Sequence, residues 1–159
     1  MARNHIRVDL PPEAVFEVLA DPRFLANWVV GASRTRWLRG GWPAVGSTIA
    51  HSQMMVIHDT TTVVASDPPR RLVLEARARP LTVATVEVTL EPVAGGTEII
   101  MDEHVIGGVA AALPAGLNEV LIRLRNRESV RRLRWLAEIG EHLRTSRAVP
   151  REPLEPAPN

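Results

Sequence analysis

A long helical segment near the C-terminus constrains this fold more than any other feature of the sequence. From about Asn118 to Arg144 there is no proline, and apolar residues recur with the 3.6-residue period of an amphipathic helix. Such a helix has to bury its apolar stripe against another layer of structure. Strand signals dominate the preceding segment from about Ser33 to Val105, so the sequence predicts one long helix that covers a sheet.

Turn signals divide this β-rich segment into six strands, and they fall at Gly40-Gly41, Asp67-Pro68-Pro69, Pro80 and Gly95-Gly96. One more strand, over Asn4–Leu10, comes before two short helices. The first helix opens at Pro11-Pro12-Glu13, and the second covers Pro22–Trp28 with Asp21 as its N-cap. This order of elements is typical of an α+β fold with an antiparallel sheet of about seven strands.

Composition excludes several kinds of chemistry. The 159 residues include no cysteine, which excludes disulfides, thiol catalysis and cysteine-ligated metals. Nineteen basic and eighteen acidic residues give a net charge of +1, too balanced for the electrostatic footprint of nucleic-acid binding. No apolar stretch is long enough to enter a membrane, and we expect a cytoplasmic protein. Residues 1–144 are predicted to form one domain, and the proline-rich residues 145–159 a flexible tail.

Six local strings occur in the chain order found in one superfamily. They are Trp28-Val-Val-Gly-Ala-Ser33, Gly41-Trp-Pro-Ala-Val-Gly46, His58-Asp-Thr-Thr-Thr-Val63, Pro68-Pro-Arg-Arg-Leu72, Met101-Asp-Glu-His104 and Arg125-Asn-Arg-Glu-Ser-Val-Arg-Arg-Leu133. With this element order, the chain resembles the START/Bet v 1-like (SRPBCC) superfamily from about Asn4 to Arg144, and within it a bacterial polyketide cyclase/dehydrase-like branch.

The resemblance implies a helix-grip fold, in which a curved seven-stranded sheet wraps around the long C-terminal helix. It also implies a deep, mostly apolar cavity for lipids, sterols, polyketides or other hydrophobic molecules. Members include carriers, aromatase/cyclases, ligand sensors and chaperone-associated modules. The branch has no universal catalytic motif to transfer to this chain. No cofactor is predicted, because the sequence has no glycine-rich phosphate loop and no metal signature.

The residues themselves also favour an internal cavity. The covered faces carry small side chains, Ala76, Ala78 and Ala84 on the strands and Gly140 on the helix. Two interpretations are open, since small residues leave space for a ligand but also allow helix and sheet to pack closely.

Two polar residues, Asn126 and Ser129, share the apolar helix face with Ile122. An unpaired amide or hydroxyl there costs about 1–3 kcal/mol, so both need partners. Either they face a ligand, or Asn126 bonds a loop and Ser129 bonds the carbonyl of residue 125.

Strand alternation places Met101 and Glu103 on the inner face of the last strand. A desolvated carboxyl group is suited to general acid–base catalysis. Glu103 is therefore a candidate catalytic residue, and the alternative is a structural ion pair with an arginine.

We read residues 49–58 as one strand, in which His51 and Met55 share the inner face. His51 is the second candidate catalytic residue. No compact histidine and carboxylate motif is present, so no metal site is predicted.

Two tryptophans, Trp28 and Trp42, flank glycine-rich loops and are candidates to line the entrance of the cavity. The complete predicted ligand-binding set is Trp28, Trp42, His51, Met55, Met101, Glu103, Ile122, Asn126 and Ser129.

A second apolar stripe on the long helix contains Trp135, with Leu121, Leu124 and Ile139. Its cover is either the N-terminal helices or a second copy of the chain, which makes a homodimer through the Trp135 face a candidate assembly.

Three functions are consistent with the sequence. We favour the binding of a hydrophobic small molecule without chemistry. The second is an aromatase/cyclase or dehydratase that uses Glu103 or His51 for proton transfer. The third is a protein-interaction module that uses the outer face of the helix.

Overall fold

The computed structural model describes residues 2–30, 32, 35–53, 57–78, 82–108 and 115–148. For residues 35–38, 51–53, 57–58, 78, 115, 117–118 and 146–148 the description is limited to the backbone. The predicted α+β class and the helix-grip architecture are confirmed, because a curved antiparallel sheet is covered by one long C-terminal helix.

The N-terminal part forms strand β1 (Ala2–Val8), helix α1 (Pro12–Ala20) and, after a 3-10 turn over Pro22–Phe24, the short helix α2 (Leu25–Trp28). Pro12 opens α1 because its fixed φ suits the first helical turn and its missing N–H is not needed there. The side chain of Asp21 accepts a hydrogen bond from the backbone N–H of Arg23 at 2.9 Å, which confirms the predicted cap.

The remaining six strands are β2 (Thr35–Arg39), β3 (Thr48–Gln53), β4 (Ile57–Asp67), β5 (Arg71–Ala78), β6 (Thr82–Val93) and β7 (Gly96–Gly107). The seven strands are ordered β1-β7-β6-β5-β4-β3-β2, and every neighbouring pair is antiparallel. The chain therefore runs as a meander from β2 to β7, and β1 joins the sheet beside β7.

One strand assignment was wrong. Residues 49–58 are not one strand but parts of β3 and β4, which pair antiparallel with His51 opposite Asp59. The error has a simple cause, since Met54, Met55 and Val56 carry none of the glycine, proline, asparagine or aspartate signals that mark a turn.

Helix α3 (Ala115–Ala148) crosses the sheet and also contacts α1 and α2. Its buried stripe contains Val130, Leu133 and Ala137, each no more than 1% exposed. The helix continues four residues past the predicted domain boundary at residue 144. Residues 149–159, the rest of the predicted tail, lie outside the described part of the chain.

The second apolar stripe of α3 stays open to solvent in the single chain. Leu121, Leu124 and Trp135 are all exposed, with Trp135 at 59%. Leu143, which the helical period places on the inner face, is 57% exposed because the helix continues beyond Ala137, the last of its described side chains that is fully buried. None of the described helices is both long and apolar enough to cross a membrane. The cytoplasmic location stays a prediction.

The contact of α3 with the sheet predicts a large difference between two leucines of the same helix. Leu133→Ala is expected to lower the free energy of unfolding by about 2–5 kcal/mol, because it leaves a cavity in the core. Leu143→Ala is the matched control and should cost less than about 0.5 kcal/mol, as is usual at the surface. Urea-induced unfolding followed by circular dichroism measures both, and equal losses would contradict the described packing.

Candidate functional site

A small cavity lies between the inner face of the sheet and the buried stripe of α3. Its volume is about 30 Å³, which is room for very few water molecules. The apolar part of its wall is formed by Leu25, Trp28, Val29, Leu74, Ala76, Val86 and Met101. Thr61, Glu103, Arg125, Asn126 and Ser129 supply the polar part. The cavity is much smaller than the deep one implied by the resemblance, because large side chains such as Trp28 and Met101 fill the interior.

Asn126 projects from α3 into this cavity without a complete set of hydrogen bonds. It is 2% exposed, and its Nδ2 amino group has no partner among the described residues. A buried donor without a partner costs free energy.

Ser129, one turn further along α3, is satisfied by the protein itself. Its Oγ accepts a hydrogen bond from the backbone N–H of Val30 at 3.2 Å. Ser129 therefore ties the end of α2 to α3. This contact differs from the predicted bond to the carbonyl of residue 125.

Glu103 reaches the cavity from β7, where it is 3% exposed. Both of its carboxylate oxygens accept hydrogen bonds from Nη2 of Arg125, a residue of α3 whose side chain is 36% exposed. The structure thus places Glu103 inside, as strand alternation indicates, and supplies the arginine partner of the alternative interpretation. The ion pair links β7 to α3 and occupies the carboxylate of Glu103.

Asp59 is a second buried carboxyl group on the inner face of the sheet. Asp59, Thr61 and Val63 are every second residue of β4 and share one face of the strand. All three are at most 5% exposed. Neither carboxylate oxygen of Asp59 has a hydrogen-bond partner among the described residues. Burial raises the pKa of the Asp59 carboxyl above its ordinary value, since desolvation disfavours the charged form.

The other predicted site residues fall into three groups. Trp28 and Met101 line the cavity and are each 1% exposed. Trp42 is not part of the described cavity wall. Its Nε1 donates a hydrogen bond to the carbonyl of Leu19 at 2.9 Å, so the indole is bound to α1. Ile122 is half-buried on α3 and is not among the described lining residues either.

The last group lies beyond the described side chains. Met55 is outside the described residues, and His51 is described only through its backbone, opposite Asp59. In the described part of the chain, no three histidine or carboxylate side chains are arranged to hold a metal ion.

Three polar residues at or beside the cavity, Asp59, Thr61 and Arg125, were not predicted from the sequence. The alternation of Asp59, Thr61 and Val63 was a usable signal for the first two. Arg125 gave no such signal, because it lies within a run of arginines on α3 and only the packing of α3 places it against Glu103.

Comparison with known families identifies the class of this protein. A family described as polyketide cyclase/dehydrase and lipid transport matches residues 2–138, so the chain belongs to that family. The predicted resemblance to SRPBCC proteins is confirmed. No functionally curated protein matches the sequence significantly.

Solved structures share the fold. Protein CV1439 from Chromobacterium violaceum is 20% identical with a TM-score of 0.64, and the match covers 86% of this chain and 96% of that one. The Aha1 dimer from Colwellia psychrerythraea is 17% identical with a TM-score of 0.62, and the match covers 88% of this chain and 97% of that one. Ara h 8.0201 is 11% identical with a TM-score of 0.64, and the match covers 86% of this chain and 96% of that one. At these identities the similarity shows a common fold.

For the Glu103–Arg125 pair we predict that removing one partner destabilises the protein more than removing both. Arg125→Leu is expected to lower the free energy of unfolding by about 1–3 kcal/mol, because it leaves a desolvated carboxyl group without a partner. The double variant Glu103→Leu/Arg125→Leu should recover most of that loss. Arg132→Leu is the surface control, since its pair with Glu128 is exposed and should contribute less than about 1 kcal/mol. Additive losses in the double variant would argue against the buried pair.

Asp59 predicts a pH dependence of stability with a definite sign. Its folded-state pKa is raised, so between the ordinary value near 3.8 and the raised value the folded protein binds more protons than the unfolded chain. The contribution of Asp59 to stability is therefore present at low pH and lost as the pH rises through this window. Asp59→Asn removes the loss, and its stability relative to wild type should increase from pH 4 towards neutrality.

Melting temperatures across this pH range measure the effect. Asp9→Asn controls for the removal of one carboxylate, because the Asp9 side chain is 86% exposed. A constant difference between Asp59→Asn and wild type at every pH would contradict the prediction.

Proposed function

We propose that this protein binds a hydrophobic small molecule, lipid-like or aromatic, between the sheet and α3. Asn126 donates a hydrogen bond to an acceptor oxygen of that molecule. The unpaired Nδ2 of a 2%-exposed side chain in an apolar cavity is the observation that carries this proposal.

The energetics of Asn126 support a role in binding. An amide donor buried without a partner costs about 1–3 kcal/mol, and a ligand oxygen would remove this cost while its apolar body contacts the wall. An apolar wall with a few placed polar groups is the usual construction of a small-molecule site. The description of the family, which names polyketide and lipid chemistry, agrees with an apolar ligand.

Binding requires the cavity to widen. A volume of about 30 Å³ is far below the roughly 300–1,000 Å³ of sites for drug-sized ligands. Met101 is unbranched and can change rotamer at low cost, so it is the lining residue best suited to make room. The ligand thus takes the place of side chains that fill the interior in this structure.

The other two functions predicted from the sequence are not proposed here. Catalysis by Glu103 or His51 stays a prediction, and Arg125, which contacts both oxygens of Glu103, favours the ion-pair interpretation. A homodimer or interaction surface through the Trp135 face also stays a prediction. Three arginines of that helix, Arg123, Arg132 and Arg134, pair with glutamates of the same helix, which fits a solvated surface.

Native mass spectrometry of protein purified from its own host tests the binding function directly. We expect an apolar molecule at near-unit stoichiometry that denaturing extraction releases unchanged. An empty protein that also fails to bind lipids and aromatic ketones would overturn the proposal.

Asn126→Leu tests the recognition group. Calorimetric titration with 2-acetylnaphthalene, an aromatic ketone, should show about tenfold weaker binding than wild type, because the donor to the ketone oxygen is lost. Binding of 2-ethylnaphthalene, which lacks the oxygen, should not weaken. The unliganded variant should be at least as stable as wild type, since the unpaired donor is gone.

Arg127→Leu provides a matched control on the exposed side of α3. It should leave the affinities for both naphthalenes unchanged. Equal weakening of ketone and hydrocarbon by Asn126→Leu would show a packing effect and remove the assigned role of Asn126.

A further inference from the structure

Asp59 is a buried carboxyl group that the proposed function does not use. It is 1% exposed, and both carboxylate oxygens lack a hydrogen-bond partner among the residues described. A surface carboxylate hydrates freely, whereas a buried one has to be neutral or find a donor.

The position of Asp59 along β4 relates it to the cavity. Thr61 lines the cavity, and Asp59 lies two residues away on the same buried face, about 7 Å along the strand. Thr61 is also opposite Ala76 of β5, another lining residue, and Ala76 is opposite Ala84 of β6. Small side chains on β5 and β6 therefore leave the space beside Thr61 lightly filled. The residue opposite Asp59 on β3 is His51, which is described only through its backbone.

No described residue supplies a structural partner. Arg125, the arginine that reaches the cavity from α3, is bound to Glu103. Among the described side chains, Asp59 therefore has no ion pair of the kind that holds Glu103.

We propose that Asp59 is a second recognition group of the grip and accepts a hydrogen bond from a hydroxyl group of the ligand. This inference rests on the proposed function and narrows its ligand class. The ligand is a hydrophobic molecule with an acceptor oxygen, held by Asn126, and a hydroxyl group at a separate position, held by Asp59. A hydroxylated aromatic ketone has this chemistry, whereas a plain hydrocarbon chain does not.

Two ketones that differ by one hydroxyl group test the inference. We would titrate wild type with 2-acetylnaphthalene and with 6-acetyl-2-naphthol by calorimetry. Wild type should bind the hydroxylated ketone about tenfold more tightly. Asp59→Val, which removes the acceptor and suits a strand, should abolish this preference and leave the affinity for 2-acetylnaphthalene unchanged.

Two further variants control for structure. Thr60→Val changes the adjacent residue of β4, which is half-buried on the opposite face of the sheet, and should keep the full preference. Asp59→Asn retains an acceptor oxygen and should keep part of it. Unliganded Asp59→Val should melt at or above the wild-type temperature, because no internal hydrogen bond is lost.

The outcomes separate this inference from the proposed function. If wild type binds neither ketone, the proposed function fails and the inference fails with it. If wild type binds both ketones equally, or if Asp59→Val keeps the preference, the inference alone fails. A clear loss of stability in Asp59→Val would reveal a partner within the protein and would also overturn it.

Discussion

The packing of α3 against the concave face of the sheet is the contact on which the rest of the structure depends. Val130, Leu133 and Ala137 drive it, since they are buried almost completely. The same contact removes water from Asn126 and Ser129, which share the buried stripe. Because desolvated polar groups need partners, the interface that stabilises the fold also creates the candidate site.

The polar groups of this interior differ in how completely the protein satisfies them. Ser129 is satisfied by the backbone of Val30, and Glu103 by Arg125. Asn126 on the helix and Asp59 on the sheet have buried polar atoms without a partner among the described residues. The satisfied groups hold the helix and the sheet together, whereas the unpaired groups are positions where a ligand can lower the free energy.

Much of this arrangement follows from periodicity. Alternation along β7 predicted that Met101 and Glu103 face inward, and the helical period predicted the same for Asn126 and Ser129, all of which line the cavity. Periodicity failed where the chain turns without a turn signal, because β3 and β4 were read as one strand. It also could not show that the indole of Trp42 packs on α1 rather than facing the cavity.

The sequence by itself determined the order of elements, the family and the faces that helix and strands bury. These properties depend on local spacing and on turn chemistry. Only the tertiary structure decided which polar groups meet, since Glu103 and Arg125, or Val30 and Ser129, are distant in the chain and are joined by packing alone. It also decided the size of the cavity, because volume depends on how side chains from separate strands and helices fill a shared space.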